Sequence, residues 1–280
     1  MNSQRILSDM KKAISLRGLS DETYKTYRSS LVQWLRHFET KDHPTHISAQ
    51  ENKDFLEMIG RTKSPCSKKI LLHALNFLYE HCCGQPNKLH GVKIERWKRK
   101  IPVVKSQKEF FELLNAIEGI TPRTIVFLIY STGIRLMEAC KIKVKDIDRG
   151  NMCIYIRKGK GGKDRRVAME VELLATLEEY WRSLPPQKKF SEYLFPGEKP
   201  GHYVSDSTIY RKVKKEMKMN PHLLRHSFAT HLHENGVDLF TLKDMLGHTT
   251  LTSTQIYAHT PLHLMKEAAT LLRSARKRAA

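Results

Sequence analysis

Apolar residues recur at helical spacing through the first hundred residues of the chain. A helix over residues 20–38 has a suitable N-cap in Ser20, which two acidic residues follow. Its apolar positions, which fall on one broad face, are Tyr24, Tyr27, Leu31, Trp34, Leu35 and Phe38. Residues 48–59 and 67–79 show the same period. We expect these stripes to pack together as the core of a helical N-terminal domain.

The second half of the chain mixes helical patterns with two short strand patterns. Ser106 and Glu109 are spaced as a capping box and predict the start of a helix. An apolar helix over residues 124–130 is followed by another that begins near Arg135. Further helical patterns cover residues 171–181, 205–217, 223–234, 239–246 and 262–276, and strand patterns cover residues 152–157 and 165–169. The sequence predicts a mainly α fold with a small β-hairpin sheet, whose glycine-rich turn is residues 158–163.

A basic segment that is rich in turn-forming residues separates the two halves. Residues 85–103 include Pro86 and Gly91, which disfavour a continuous helix. Their basic run is Lys98, Arg99 and Lys100. We therefore predict a basic linker over residues 85–103. The domains on either side are residues 1–84 and 104–280.

The charge of the chain predicts a polyanionic partner. Lysine and arginine total 49 against 29 acidic residues, which gives a net charge of +20. The excess is spread over both halves and is not confined to a tail. A basic surface of this size is typical of proteins that bind nucleic acid, whereas simple solubility is the alternative explanation.

The same sequence argues against a membrane or secreted protein. The longest apolar stretch, around residues 125–130, is far too short to span a bilayer. The first twenty residues have no long apolar core of the kind found in secretory signals. The five cysteines are odd in number and form no C-x-x-C pair, so we expect reduced thiols in a cytoplasmic protein.

Several residues in the second half have the chemistry that metal-free phosphodiester cleavage needs. Such cleavage requires a nucleophile, cations around the phosphate and an acid for the leaving oxygen. Arginine suits the phosphate because its planar fork matches two oxygens. The candidates, in chain order, are Arg135 in STGIRLME, Lys160 in KGKGGK, His222 and Arg225 in HLLR, His248 after Leu-Gly, and Tyr257 in TQIYAH. Glu138, three residues after Arg135, is placed to orient it.

Two other interpretations of these segments are weaker. The glycine-rich turn lacks the Walker spacing and the Ser or Thr after lysine, so an ATP site is disfavoured. Four histidines crowd one segment and suggest zinc, but no cysteine or nearby acid completes a ligand set. These histidines are His222, His226, His231 and His233.

Together, the motifs resemble the catalytic signature of the tyrosine recombinase, or phage integrase, family. The stretch HLLRHSFATHLHENGVDLFTLKDMLGHTTLTSTQIYAH is similar to that family almost throughout, as are TGIRLMEACKIKVKDID and KGKGGKDRRV. The similarity covers about residues 102–270 and is closer to simple Xer-like recombinases than to lambda-type integrases. Ala168 replaces a proline that is common in the family. The N-terminal half resembles the family's helical core-binding (SAM-like) domain, with weaker sequence support.

The resemblance implies a role for each candidate. Arg135 and Arg225 would clamp the scissile phosphate, and Lys160 would protonate the 5′ oxygen. His222 would assist proton removal, His248 would donate to the phosphate, and Tyr257 would be the nucleophile. No metal, ATP or other cofactor is expected. The residues we expect to contact the DNA backbone are Lys25, Arg28, Lys68, Lys69, Lys98, Arg99, Lys100, Lys158 and Lys163.

The resemblance also implies the partners. We expect double-stranded DNA with specific recombination sites, and a tetramer on that DNA in which the helix over residues 262–276 docks on a neighbouring protomer. Docking of that helix on its own core is the alternative. No membrane or small-molecule substrate is expected, and a nucleoid-associated cytoplasmic location follows. Two alternative functions stay open from sequence: relaxation of DNA in the manner of a type IB topoisomerase, and a catalytically silent DNA-binding accessory protein.

Overall fold

The computed structural model describes residues 2–86, 88–92, 104–157, 164–247, 250 and 254. The chain divides into two compact units, Met1–Lys100 and Ile101–Ala280. Both are mainly helical, and the second contains a small antiparallel sheet, which confirms the predicted fold class. The predicted linker, residues 85–103, lies mostly outside the described residues, so its limits remain a prediction. None of the described helices combines the length and apolarity needed to cross a membrane.

The described part of the N-terminal unit contains four α-helices. They are α1 (Ser3–Leu16), α2 (Asp21–His37), α3 (Ala49–Gly60) and α4 (Pro65–Cys82). Helices α2, α3 and α4 begin after serine N-caps whose side chains accept from the backbone N–H three residues on. The predicted apolar stripes form the core, where Leu31, Trp34 and Leu75 are fully buried. Helix α1 was not among the predicted elements, although Ile6, Met10 and Ile14 have helical spacing and are buried.

The described part of the second unit contains seven α-helices and the sheet. Its helices are α5 (Gln107–Asn115), α6 (Ile120–Thr132), α7 (Leu136–Cys140), α8 (Val171–Ser183), α9 (Asp206–Glu216), α10 (Pro221–Glu234) and α11 (Leu239–Leu246). Helix α6 is apolar around its circumference and contacts α5, α7, α8, α9 and α10. A helix that is apolar on all sides belongs inside a core. Residues along α6 such as Ile125, Leu128 and Ile129 are fully buried, so this helix is the central support of the unit.

Within the described residues, three short strands form an antiparallel sheet in the order β1-β2-β3. They are β1 (Ile147–Asp148), β2 (Cys153–Ile156) and β3 (Arg165–Ala168). The predicted hairpin is confirmed as the β2–β3 pair, whereas β1 was not predicted because two residues carry no readable period. The register pairs Ile156 with Arg165 at the end of the ladder from which residues 158–163 continue.

Candidate active site

Arg225 occupies the centre of the candidate site. It lies on α10 and only 7% of its surface is exposed. Its Nη1 donates to the carbonyl oxygen of Gly133 at 2.6 Å, and its Nη2 donates to the carbonyl oxygen of Leu246 at 2.6 Å. Gly133 precedes Arg135 by two residues, and Leu246 precedes His248 by two. One guanidinium therefore joins the two backbone segments that lead to those candidates.

The backbone at Gly133 allows this close approach. Gly133 ends α6 in the left-handed conformation, with φ of 65°. A Cβ at this position would lie 2.4 Å from Cδ1 of Phe228, a residue of α10. Only glycine combines the left-handed turn with such contact. The T-G-x-R spacing therefore has a packing reason, since the glycine lets α10 carry Arg225 against the end of α6.

Arg135 is held by Glu138, as the spacing predicted. Its Nη1 donates to Oε1 of Glu138 at 2.8 Å, and its backbone N–H donates to Oε2 at 2.8 Å. Arg135 is the N-cap residue of α7, so Glu138 sits in the first turn, where a carboxylate is favoured. The side chain of Arg135 keeps 23% of its surface exposed. The arrangement fixes Nη1 of the guanidinium and leaves part of the side chain accessible.

A third arginine, Arg165, was missed as a site residue from sequence. It is the first residue of β3, and its Nη1 and Nη2 donate to Oε1 and Oε2 of Glu138 at 3.0 and 2.8 Å. Paired N–H donors on two carboxylate oxygens are the strong form of this ion pair. The available sequence signal was the basic pair Arg165 and Arg166 directly after the turn, which does not reveal the partner.

Glu138 carries a negative charge that the two arginines stabilise. Burial alone raises the pKa of this carboxyl, but the hydrogen bond from Arg165, the backbone hydrogen bond from Arg135 and both positive charges outweigh it. The pKa of Glu138 is therefore lowered to about 2. A carboxylate between two guanidinium groups keeps the local charge positive by one, which favours binding of an anion.

His222 and Arg225 occupy successive turns of α10 with different exposure. His222 is exposed at the first turn, and its backbone N–H donates to Oδ1 of the N-cap Asn220 at 2.9 Å. The neighbouring His226 is half-buried. Its burial, followed by the charges of His222 and Arg225, lowers the pKa of His226, so this ring is neutral at pH 7. Of the two predicted partners, the cation is buried and the proton-transfer group is at the surface.

The other crowded histidines are engaged in hydrogen bonds within the fold. Nδ1 of His231 is 2.8 Å from the hydroxyl of Tyr130, and its Nε2 is 3.0 Å from the carbonyl oxygen of Lys105. Nδ1 of His233 is 3.0 Å from the carbonyl oxygen of Val237. Among the residues that the structure describes, no three His, Cys, Asp or Glu side chains are grouped to hold a metal ion.

Known proteins match both units of the chain. The profile of the phage integrase family matches residues 105–262, and that of the phage integrase N-terminal SAM-like domain matches residues 6–89. Tyrosine recombinase XerA of Pyrococcus furiosus is 32% identical over 275 residues, which cover 94% of this chain and 92% of that protein. The chain belongs to the phage integrase family.

Solved structures agree with this assignment. A crystal structure of XerA recombinase has 28% identity and a TM-score of 0.53, covering 97% of this chain and 99% of that chain. XerH site-specific recombinase bound to palindromic difH substrate, in a post-cleavage complex, has 25% identity and a TM-score of 0.71, covering 95% and 85%. The protein is thus a site-specific tyrosine recombinase, an enzyme that cleaves and rejoins DNA strands.

Part of the predicted site of the recombinase lies outside the described residues. This holds for Lys98, Arg99, Lys100, Lys158, Lys160, Lys163, His248 and Tyr257, and for the predicted helix over residues 262–276. The structure therefore brings together Arg135 and Arg225 through Gly133, and it adds Arg165 through Glu138.

The predicted DNA contacts of the N-terminal unit lie on α2 and α4. Lys25 and Arg28 are exposed on α2, and Lys69 is exposed on α4, where Lys68 is half-buried. Lys25 makes an exposed ion pair with Glu22, and such pairs are weak. A groove of about 440 Å³ beside Lys25 is lined by residues of both helices and by Lys63 of the turn before α4; its uncharged polar residues include Thr26, Ser29, Gln33 and Ser67. These donors suit a phosphate backbone.

Proposed function

We propose that Arg135 and Arg225 hold the scissile phosphate of a specific DNA site, with His222 and His248 as hydrogen-bonding partners, while Tyr257 attacks the phosphorus. Attack by the phenol oxygen would form a 3′-phosphotyrosine ester and release a 5′ hydroxyl. The ester keeps the free energy of the broken bond, so the reverse reaction rejoins a strand without ATP. The positively charged side chains would stabilise the negative charge of the transition state, a role that a metal ion has in many nucleases.

One observation carries the proposal: Arg225 is docked on the carbonyl oxygens of Gly133 and Leu246. These bonds fix the plane of a guanidinium that has five N–H donors. They also bring the backbone that leads to Arg135 and the backbone that leads to His248 to the same cation. A site assembled around one buried arginine suits the charge that develops on the phosphate oxygens during attack.

Proton transfer falls to three other residues. A free tyrosine has a pKa of about 10, so Tyr257 needs neighbouring cations that favour its phenolate. His222 assists removal of that proton, since it is exposed one turn before Arg225. Lys160 protonates the leaving 5′ oxygen, and the β2–β3 hairpin supplies the loop that contains it.

The lysines and arginines of both units would position the duplex. On α2 and α4 these are Lys25, Arg28, Lys68 and Lys69, and in the second unit Lys158 and Lys163 flank Lys160. Phosphate contacts of this kind fix register without reading bases. The net charge of +20 makes the proposed binding strongly salt-dependent.

We further propose that the recombinase works as a tetramer on DNA through exchange of its C-terminal segment. A cavity of about 550 Å³ in the second unit is lined by Phe111, Phe127, Phe228, Leu232 and Met245, with Glu170 and Glu172 among its polar residues. Residues 262–272 supply an apolar face, followed by a basic run. Both surfaces are largely apolar, and head-to-tail docking closes a ring. The proposed location is the cytoplasm, on the nucleoid, which agrees with five cysteines that are all free thiols.

Covalent trapping tests the catalytic proposal. Sequencing the DNA trapped on the protein identifies its site, and a nicked duplex of that site then lets the cleaved fragment diffuse away. Wild type should accumulate a protein–DNA adduct, and Tyr257→Phe should form none. An adduct with Tyr257→Phe, or no adduct with wild type, contradicts the proposal. A supercoil relaxation assay separates topoisomerase activity, because the proposed enzyme needs two sites.

Truncation after residue 261 tests the assembly proposal. The shortened protein should still form the adduct on one nicked site, but its complexes on paired sites should stop short of the tetramer in native gels or sedimentation. Unchanged tetramers would show that residues 262–280 do not hold the protomers together and would contradict the assembly proposal.

A further inference from the structure

Arg165 has contacts that the proposed chemistry does not explain. Its side chain is only 14% exposed, although it begins a strand at the edge of the sheet. Burying a guanidinium is costly unless it is paired, and here the partner is the 10% exposed Glu138. Within the described residues its Nε atom is buried and has no hydrogen-bond partner. An arginine that served only to keep the surface charged would be exposed, whereas Arg165 is mostly buried.

The position of Arg165 in the chain places its ion pair with Glu138 at the base of the β2–β3 hairpin. Arg165 pairs with Ile156 at the end of the β2–β3 ladder, and the chain between them contains the loop over residues 158–163. The same two carboxylate oxygens of Glu138 also accept hydrogen bonds from Nη1 and from the backbone N–H of Arg135. The ion pair therefore ties the base of the hairpin to the helix that carries the first phosphate-binding arginine.

A third contact connects Arg165 to the end of α11. Gly247 ends that helix in the left-handed conformation, with φ of 63°. A Cβ there would lie 2.8 Å from Cδ and 3.0 Å from Nε of Arg165. The arginine is thus packed against the residue before His248, and the glycine leaves room for it.

We propose that Arg165 is a positioning residue for strand cleavage: through its two hydrogen bonds to Glu138 it sets the hairpin that contains Lys160 against Arg135. The inference rests on the proposed function, since it assumes that Lys160 donates the proton to the 5′ oxygen. When Arg165 is removed, Glu138 still accepts the two hydrogen bonds from Arg135. Loss of Arg165 should therefore impair protonation of the leaving group more than binding of the phosphate.

The test uses the nicked duplex of the enzyme's own site, with either an oxygen or a sulfur atom at the bridging 5′ position of the scissile phosphate. A 5′ thiolate is a stable leaving group and needs no proton, so it removes the need for a general acid. Adduct formation is measured in single turnover at saturating DNA. Arg165→Met should slow the oxygen substrate about 100-fold, the loss that about 1 Å of misplacement causes. The sulfur substrate should react within a few-fold of wild type.

Matched variants separate this role from general loss of charge or fold. Arg166→Met removes the same charge from the next residue of β3, which is exposed, and should stay within about 2-fold of wild type on both substrates. Arg165→Lys should restore part of the rate, because one ammonium cannot reproduce both hydrogen bonds. Adding Arg165→Met to Glu138→Gln should cause no further loss, because both changes break the same contact.

The outcomes distinguish the inference from the proposed function. The sulfur substrate should restore the rate of adduct formation of Lys160→Ala. If it does not, both the acid role of Lys160 and the inference are wrong. If Lys160→Ala is rescued and Arg165→Met is equally slow on both substrates, only the inference is overturned. Equal losses in Arg165→Met and Arg166→Met would overturn it as well. Rescue of Arg165→Met by sulfur also shows that the variant is folded.

Discussion

The two units of the recombinase bury polar groups in opposite ways. The N-terminal unit buries a neutral network. The indole N–H of Trp34 donates to Oδ1 of Asn52 at 2.9 Å, and Nδ2 of Asn52 donates to the hydroxyl of Tyr79 at 3.0 Å. That hydroxyl donates to the carbonyl oxygen of Pro44 at 3.3 Å. Burial raises the pKa of Tyr79, so the network stays uncharged at any physiological pH.

The second unit buries charged groups. Arg225 is paired with two backbone carbonyl oxygens, and Arg165 is paired with Glu138. Burying a charge costs much more than burying a neutral group, and removing one member of a buried ion pair leaves the other uncompensated. The neutral polar groups of the N-terminal unit connect helices. Under the proposed function, the buried cations of the second unit would instead prepare a place for a phosphate.

Replacing the central cation should have the largest effect. Arg225→Met should lower the rate of adduct formation about 1,000-fold, a loss of the size seen when a donor to a developing oxyanion is removed. The carbonyl oxygens of Gly133 and Leu246 would also lose their partner, so the second unit should be less stable. Single-turnover trapping and thermal unfolding measure the two effects. A rate within 10-fold of wild type would mean that the buried cation serves the fold alone.

The next largest effect is expected for Glu138→Gln, which should lower the free energy of unfolding by an amount that depends on pH. Because the folded-state pKa of Glu138 is about 2, below its ordinary 4.5, the carboxylate stabilises the fold at any pH above 4.5. This stability is lost as the pH falls from 4.5 towards 2. At pH 7 the variant should lose on the order of 3 kcal/mol of unfolding free energy, and the difference should shrink in acid.

Glu51 of the N-terminal unit provides the matched control. Its pKa is also lowered to about 2, by the side-chain hydrogen bond to Lys41 and the hydrogen bonds of the Ser48 capping box, but the group is at the surface. Glu51→Gln should therefore cause a smaller change that salt reduces, because exposed pairs are screened. Equal losses in chemical denaturation of Glu51→Gln and Glu138→Gln would remove the contrast between the units.

Disrupting the neutral network should have the smallest effect on chemistry. Asn52→Leu leaves the indole N–H of Trp34 and the hydroxyl of Tyr79 without their shared partner, which should cost about 2 kcal/mol of unfolding free energy. The rate of adduct formation at saturating DNA should stay close to that of wild type. A large loss of rate would show that the N-terminal network also supports the chemistry.

The sequence predicted best those features whose interacting residues lie close together along the chain. The stripe of α2 and the capping box at Ser106 were readable because their partners lie within one turn. Glu138 was assigned to Arg135 for the same reason. Helix α1 was missed although its stripe is present, and β1 was too short to show a period.

By itself, the sequence determined the helical and strand periods, the basic character of both units, and the order of arginine, lysine, histidine and tyrosine motifs that marks the family. Only the tertiary structure decided that Arg225 docks on Gly133 and Leu246, which lie 92 and 21 residues away, and that Arg165 reaches Glu138 across 27 residues. Neighbouring residues along a helix meet by geometry alone. Distant ones meet only when packing around α6 brings α7, α10, α11 and the hairpin together, and that packing depends on the whole core.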